Sequence, residues 1–327
     1  DTLQNAGFEA WYVGGCVRDT LLSRPIHDWD AATSALPEQV LALFPRTVPT
    51  GLPHGTVTVL SDAGPVEVTT YRTDGGYRDG RHPDSVRFVR SLREDTARRD
   101  FTVNAMAMDQ HGTIRDYHGG RADLAAKLLR CVGEPERRFR EDALRMLRMC
   151  RFAGQLGFSV EPESWDALLR CAPLCETLSR ERITEEVTKT LCSPAPQWVG
   201  TMIETGLLAS CGLQGAHDLA WLAALPPAAE VRWAGLGILL PELDFSAFRL
   251  PAKLVRLCQT ARTHWPPPEN RLEWKRLIAA EGEDCARLLG VLARTEDAEA
   301  LLGSGECLCL RDLSVSGRDF PEVRGPE

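Results

Sequence analysis

The chain of 327 residues has no run of 18 apolar residues, only four lysines and no Cys-x-x-Cys pair. The missing apolar run excludes a membrane-spanning helix, and the first five residues lack the basic and apolar regions of a signal peptide. We therefore expect a cytoplasmic protein that does not enter a membrane. Its eleven cysteines have no histidine at ligand spacing. Thiols in a reducing compartment are therefore favoured over a zinc site.

A net basic charge is also missing, because the formal charge is −8. Residues 1 to 150 hold 20 basic and 21 acidic side chains, so most of the acidic excess lies in the remainder. Residues 137 to 151 are the exception, with six arginines against Glu141 and Asp142. Arginine suits bidentate phosphate contact, although genome composition can produce the same bias. This distribution favours a narrow basic groove for phosphate over a broad polybasic surface.

A paired glycine is the first informative feature that is present. Gly14 and Gly15 stand between an apolar segment, residues 10 to 13, and a segment with a helical pattern, residues 17 to 22. Backbone N–H groups of such a turn can bind phosphate, and Arg18 can add charge from the first turn of the helix. A lone glycine pair is most often a simple turn. The order strand, glycine turn, helix favours the phosphate interpretation.

Two carboxylates follow this turn. Asp28 and Asp30 are two residues apart, so on a strand both side chains point to one face. Oxygen ligands of this kind suit Mg²⁺, which shares its remaining positions with waters and substrate phosphates. Together with the glycine turn, the pair predicts nucleotidyl transfer. His27 beside Asp28 suggests a metal-dependent phosphohydrolase instead, but the further ligands that such a site needs are not recognisable, so His27 is interpreted as an ordinary polar residue.

A second chemical centre lies in the arginine-rich segment. On a helix, Asp142 and Arg145 are three residues apart and share a face. Asp142 can accept a hydrogen bond from the exocyclic amine of cytosine or adenine, and Arg145 can donate to the neighbouring acceptors of either base. Guanine and uracil lack that amine at the same place. The common alternative is a plain ion pair within the helix.

Three motifs in this order resemble those of the bacterial class II tRNA nucleotidyltransferases, the CCA-adding enzymes of the tRNA nucleotidyltransferase/poly(A) polymerase family. The motifs are Gly14-Gly15-x-Val17-Arg18-Asp19 with Asp28-x-Asp30, Arg98-Arg99-Asp100-Phe101-Thr102-x-Asn104-Ala105-Met106-Ala107, and Glu141-Asp142-x-x-Arg145-x-x-Arg148-x-x-Arg151-Phe152-Ala153. The resemblance is specific over about the first 155 residues and looser beyond them. It implies template-independent addition of C, C and A to the 3′ end of tRNA from CTP and ATP.

The resemblance also implies which residues form the site. Asp28 and Asp30 would hold two Mg²⁺ ions. Glu67, on a strand expected in the same sheet, would complete the catalytic carboxylates, although a solvated strand residue is an equal alternative. Glu141 would orient Arg145. The nucleotide would be bound by Gly14, Gly15, Arg18, Arg99, Asp142, Arg145, Arg148 and Arg151.

The fold class that we predict is α+β. A DNA polymerase beta-like nucleotidyltransferase head, a small mixed sheet with helices, would occupy residues 1–133. A helical neck that carries the base-recognition helix would occupy 134–195, and a helical body that binds tRNA would occupy 196–327. Within these parts we expect a hairpin that turns at residues 62 to 65, and helices over residues 140–155, 162–171, 180–191 and 198–205. The missing initiator Met and the segment Val315 to Phe320 suggest that both ends are trimmed.

Related activities remain as alternatives. A bacterial poly(A) polymerase shares the head but is usually strongly basic. An A-adding tRNA nucleotidyltransferase keeps the glycine-rich loop that we find at residues 74 to 84, which we expect to act as a lever for the final A. A non-catalytic RNA-binding relative would have little reason to keep both aspartates with Arg18 and the base-reading pair. No partner protein is indicated.

Overall fold

The computed structural model describes residues 1–74 and 86–308. Residues 75 to 84 of the predicted lever loop and the terminal segment 315 to 320 lie outside the described residues. The fold is α+β, with one mixed sheet near the N-terminus followed by helices.

The described strands are β1 (Ala10–Val13), β2 (Trp29–Thr33), β3 (Thr47–Gly51), β4 (Thr56–Ser61), β5 (Gly64–Thr70), β6 (Arg72–Asp74), β7 (Val86–Phe88), β8 (Ala107–Met108), β9 (Ile114–Arg115), β10 (Leu128–Leu129) and β11 (Ser159–Val160). The described α-helices are α1 (Thr2–Asn5), α2 (Gly15–Leu21), α3 (Pro37–Leu43), α4 (Leu92–Ala97), α5 (Gly120–Ala125), α6 (Pro135–Glu141), α7 (Leu144–Leu156), α8 (Pro162–Cys171), α9 (Arg180–Leu191), α10 (Trp198–Glu204), α11 (Ala229–Leu239), α12 (Ala252–Thr263), α13 (Arg271–Glu281), α14 (Glu283–Ala293) and α15 (Asp297–Leu302). Short 3-10 helices cover Leu52–His54, Thr102–Asn104, Ala172–Thr177, Ala209–Cys211, Ala220–Ala224 and Phe245–Ala247.

The main sheet has seven strands in the order β3-β4-β5-β2-β1-β8-β9. The pair β2 and β5 is parallel, whereas β1 is antiparallel to both of its neighbours. In the parallel pair, Asp30 lies directly opposite Glu67. Because neighbouring residues in register point to the same face, these two carboxylates share one face of the sheet.

The predicted hairpin is confirmed as β4 and β5, with Ser61 paired to Gly64. Alternation along these strands buries Val57, Val59 and Val68 in a cluster that also includes Val40 of α3. This packing faces away from Glu67, which is exposed. The side-chain period of two therefore puts these valines on the face covered by α3 and Glu67 on the opposite face.

The predicted helix over residues 140–155 is wrong at its start. The structure has two helices, α6 and α7, separated by Asp142 and Ala143, and Asp142 has an extended backbone with φ −148° and ψ 105°. The Asp142 carboxylate accepts hydrogen bonds from the backbone N–H of Leu144, at 3.1 Å, and from Arg182 on α9, at 2.8 Å. The contact with Leu144 caps α7, and the contact with Arg182 on α9 holds the chain in place at the break between α6 and α7. The helices predicted over 162–171, 180–191 and 198–205 are confirmed as α8, α9 and α10.

One apolar core joins the sheet region to the helices. Cys16 and Val17 of α2 and Phe101 belong to the same buried cluster as Phe139 of α6 and Leu147 of α7. This shared core fixes the glycine turn relative to the arginine-rich helices. No helix in the described part of the chain is long and apolar enough to cross a membrane.

Candidate nucleotide-binding and catalytic site

The glycine turn lies between β1 and α2, as predicted. Gly14 has φ +79° and ψ −136°, a backbone conformation that side chains disfavour. A Cβ at this position would lie 3.1 Å from Arg99 Nη1 and 3.6 Å from Asp30 Oδ2. Glycine is therefore needed at this position for two reasons: its backbone angles, and the close approach of an arginine and a carboxylate. The same measurement shows that Arg99 and Asp30 both lie next to the turn.

The carboxylates form a small acidic group on the face of the sheet opposite α3. Asp28 is exposed immediately before β2, Asp30 is partly buried within it, and Glu67 is exposed opposite Asp30. The pKa of Asp30 is raised, first because its carboxyl is partly buried and next because Glu67 is near; Arg99 acts in the opposite direction, and Asp28 adds a smaller increase. Mutual repulsion of this kind favours the binding of a cation between the carboxylates.

No three His, Cys, Asp or Glu side chains are arranged as a metal site within residues 1–74 and 86–308. The protein therefore supplies a few carboxylates rather than a complete cage. That donor set fits an ion such as Mg²⁺, which uses one or two carboxylates and completes its shell with water and substrate phosphates. Nine cysteines within residues 1–74 and 86–308 are free thiols, and eight of these nine are buried. His27 is exposed.

Arg99 lies where the acidic group meets the glycine turn. Its Nη2 donates to Asp95 Oδ2 at 3.3 Å, and its buried Nε has no hydrogen-bond partner among residues 1–74 and 86–308. A buried donor without a partner costs free energy unless a ligand or water accepts from it. Arg99 is thus anchored at one end, and it retains a donor beside Gly14 and Asp30.

Arg18 is turned inward. It is buried, binds Asp19 through Nε (3.0 Å) and Nη2 (2.8 Å), and donates from Nη1 to Asn104 Oδ1 at 2.7 Å. Its guanidinium also lies over the ring of Phe152, 5.0 Å from the centroid. The distance of 3.6 Å from Nη2 to the Cβ position of Gly15 still keeps it next to the turn.

Arg145 is held rigidly at the start of α7. Its Nη1 donates to Glu141 Oε2 at 2.8 Å and to the carbonyl of Arg138 at 2.9 Å, and its Nη2 donates to the carbonyl of Arg98 at 3.0 Å. Glu141 therefore does orient Arg145. Asp142 instead pairs with Arg182, so the plain ion pair between Asp142 and Arg145 does not form. Asp142 and Arg145, the predicted base-reading pair, are therefore each held by a different partner.

Arg148 and Arg151 continue along α7 and surround the ring of Phe152, with guanidinium carbons 5.3 Å and 4.0 Å from the centroid. Arg148 binds Asp100 through Nε and Nη2 at 2.8 Å and 2.7 Å, and about a third of its side chain is exposed. Arg151 is buried and binds Glu186 at 2.6 Å. Of the two, Arg148 is the one that a ligand can reach.

Asp100 connects these arginines to the head. Its Oδ1 accepts from the backbone N–H of Phe101 at 2.8 Å and from Asn104 Nδ2 at 3.2 Å, and Asn104 in turn accepts from Arg18. Burial alone would raise the pKa of Asp100, but the Arg148 guanidinium and these hydrogen bonds together lower it to about 2. A continuous polar network thus runs from the glycine turn to α7.

Sequence reasoning missed three residues of this site: Asp95, Arg182 and Glu186. Asp95 had a detectable signal, because its spacing of three and four residues from Arg98 and Arg99 matches helical ion pairs. Arg182 and Glu186 had no such signal in the sequence, since their partners lie 40 and 35 residues away.

Comparisons with known proteins identify the family of the chain. The family "Poly A polymerase head domain" matches residues 10–130, and the family "Probable RNA and SrmB- binding site of polymerase A" matches residues 157–211. The CCA-adding enzyme of Geobacillus stearothermophilus is 48% identical over 268 residues, which cover 77% of this chain and 65% of that enzyme. The CCA-adding enzyme of Bacillus velezensis is 40% identical over 98% of this chain and 86% of its own length.

A solved structure, the Bacillus stearothermophilus CCA-adding enzyme in complex with CTP, superposes with a TM-score of 0.85 at 38% identity and covers 99% of this chain and 87% of its own. The chain spans less than two thirds of the length of the Geobacillus relative. Sequence identity, coverage and fold agree, and the chain belongs to the family of the bacterial CCA-adding enzymes.

Proposed function

We propose that this protein adds C, C and A to the 3′ end of tRNA, using CTP and ATP and no nucleic-acid template. The observation that supports this most strongly is the position of Arg98 and Arg99 between two centres. Arg99 lies beside Gly14 and Asp30, while the carbonyl of Arg98 accepts from Arg145. One short segment thus joins an acidic site suited to phosphoryl chemistry to a pair of residues suited to reading a base.

The proposed reaction uses a divalent metal, as nucleotidyltransferases of this family do, and we propose Mg²⁺ held by Asp28 and Asp30. When bound, the metal neutralises charge on the triphosphate and lowers the pKa of the attacking hydroxyl. Glu67, opposite Asp30, would add negative charge that strengthens cation binding. Backbone N–H groups at Gly14 and Gly15 would bind the triphosphate at the start of α2.

Base selection would depend on Asp142 and Arg145. Asp142 would accept from the exocyclic amine that cytosine and adenine share, and Arg145 would donate to the adjacent ring acceptors. Because Arg182 and Glu141 hold these two side chains, the spacing of acceptor and donors is set before the nucleotide binds. Such preorganisation lowers the free-energy cost of ordering the site on binding.

The remaining arginines would complete the nucleotide site. Arg99 offers its Nε, which has no partner within the described part of the chain, and Arg148 presents an accessible guanidinium above Phe152. Arg18 and Arg151 lie around the same ring and contribute positive charge from behind it. We propose the division into a head (1–133), a neck (134–195) and a tRNA-binding body (196–327), and we propose the cytoplasm as the place of action because tRNA is the substrate.

The test is incorporation of labelled CMP from CTP into tRNA that lacks its CCA end. Asp30→Asn should lower turnover by orders of magnitude and leave tRNA affinity, measured by filter binding, nearly unchanged. The matched control is Asp62→Asn, since Asp62 is an exposed aspartate in the turn between β4 and β5 whose partner is Arg46. Substantial CMP incorporation by Asp30→Asn at saturating Mg²⁺ would contradict the metal assignment. Absence of incorporation by the unmodified protein would contradict the proposed function.

A further inference from the structure

Asp95 is the most completely buried carboxylate near the site, with no exposed surface. It lies on α4, and its two oxygens serve four donors. Oδ1 accepts from Arg98 Nε and Nη2 at 3.0 Å and 2.9 Å, and from the backbone N–H of Arg72 at 3.3 Å. Oδ2 accepts from Arg99 Nη2 at 3.3 Å. One carboxylate therefore fixes both arginines of the segment that joins the two centres.

The end of α4 is also where the helical neck attaches. The carbonyl of Ala97 accepts from Arg138 Nη1 at 3.2 Å, and the carbonyl of Arg98 accepts from Arg145 Nη2 at 3.0 Å. The last carbonyls of a helix have no partner within the helix and carry partial negative charge, so guanidinium groups bind them well. The position of the Arg98 carbonyl therefore helps determine where Nη2 of Arg145 lies.

We propose that Asp95 is a positioning residue for nucleotide selection. It holds Arg99 beside Gly14 and Asp30, and it holds the end of α4 so that the Arg98 carbonyl meets Arg145. This inference rests on the proposed roles of Arg99 and Arg145 in nucleotide binding. Asp95 would thus align the phosphate side of the pocket with the base side, although it contacts neither substrate nor metal.

The chemistry of the site makes Asp95→Asn a sharp perturbation. The amide matches the carboxylate in size but carries no charge, and one of its ends becomes a donor. Whichever way the amide is oriented, this donor faces a guanidinium N–H of Arg98 or Arg99. Asp30 is the other carboxylate whose charge acts on Arg99, so a released Arg99 would move toward it. We expect the Asp95→Asn protein to bind CTP more weakly and to hold the Arg145 side chain in a less defined position.

The experiment is isothermal titration of the full chain with CTP and with UTP, which reports nucleotide selection without turnover. The unmodified protein should prefer CTP, and Asp95→Asn should reduce the ratio of the two affinities about tenfold, within the range of a good base contact. The control is Glu161→Gln. Glu161 is also a buried carboxylate paired with an arginine, Arg130, but it caps α8 away from this segment. Its substitution should lower the melting temperature and leave the affinity ratio unchanged.

A second variant keeps the inference testable if Asp95→Asn does not fold. Arg98→Gln removes the side chain that Asp95 binds through two donors and keeps the backbone carbonyl that Arg145 uses, so it should lower the affinity ratio in the same direction by a smaller factor. An unchanged CTP to UTP ratio in a folded Asp95→Asn protein, or in Arg98→Gln if the first does not fold, would overturn the role of Asp95. If the unmodified protein itself shows no preference for CTP, the proposed function fails, and this inference fails with it.

Discussion

Replacement of Asp100 by asparagine tests the network between the head and α7 in a quantitative way. The carboxylate is buried, and its folded pKa of about 2 compares with an ordinary value of 3.8. This difference corresponds to about 2 kcal/mol of stability at neutral pH. Asp100→Asn should therefore lower the free energy of unfolding by about 2 kcal/mol, because Arg148 loses its charged partner while the shape of the side chain is kept.

The sign of the pH dependence follows from the direction of the pKa change. A carboxyl whose pKa is lower in the folded state stabilises the fold fully above its unfolded pKa, near 4, and loses that contribution as the pH falls toward 2. About 1 kcal/mol of the contribution of Asp100 should be lost between pH 6 and pH 3. The asparagine variant does not titrate, so this part of the pH dependence should be absent from it.

The assay is urea unfolding of the unmodified protein and of Asp100→Asn at pH 6 and pH 3. The difference in unfolding free energy between the two proteins should be larger at pH 6 by about 1 kcal/mol. An equal difference at both pH values would refute the argument, since it would mean that Asp100 has the same pKa in the folded and unfolded chains.

Three further substitutions have defined outcomes. Gly14→Ala forces a side chain into a positive φ and against Arg99, which should cost about 1–3 kcal/mol and raise KM for CTP; an unchanged KM would contradict the close approach. Glu186→Gln leaves Arg151 buried without its partner, so urea unfolding should show a loss of about 3 kcal/mol, and a loss under 1 kcal/mol would be inconsistent with a buried pair. Arg182→Met frees Asp142, so competition between CTP and UTP should show weaker discrimination, by about 1 kcal/mol.

Local patterns predicted much of the head correctly. Alternating valines on β4 and β5 and the turn between them are sufficient for a hairpin, because the side chain period of two determines which face is buried. The glycine turn was also recognisable, since an apolar strand and a helix flank it. The positive φ of Gly14 and the approach of Arg99 to it were not, because Arg99 is 85 positions away in the chain.

The errors occurred where long-range contacts override local preference. Residues 140 to 155 favour a continuous helix, yet the chain breaks at Asp142 because its carboxylate binds Arg182 and the N–H of Leu144. The contacts of Arg18 were also not predictable, because its guanidinium binds Asn104, 86 residues away, and lies over Phe152. Sequence spacing identifies such residues without indicating their partners.

The central claim is tested most directly by the sequence of the 3′ ends that the protein makes. A tRNA that lacks its CCA end would be incubated with Mg²⁺ and all four nucleoside triphosphates, and the products would be sequenced. The proposed function predicts two C residues followed by one A, and then no further addition. A run of A residues, or no addition to this tRNA, would contradict it.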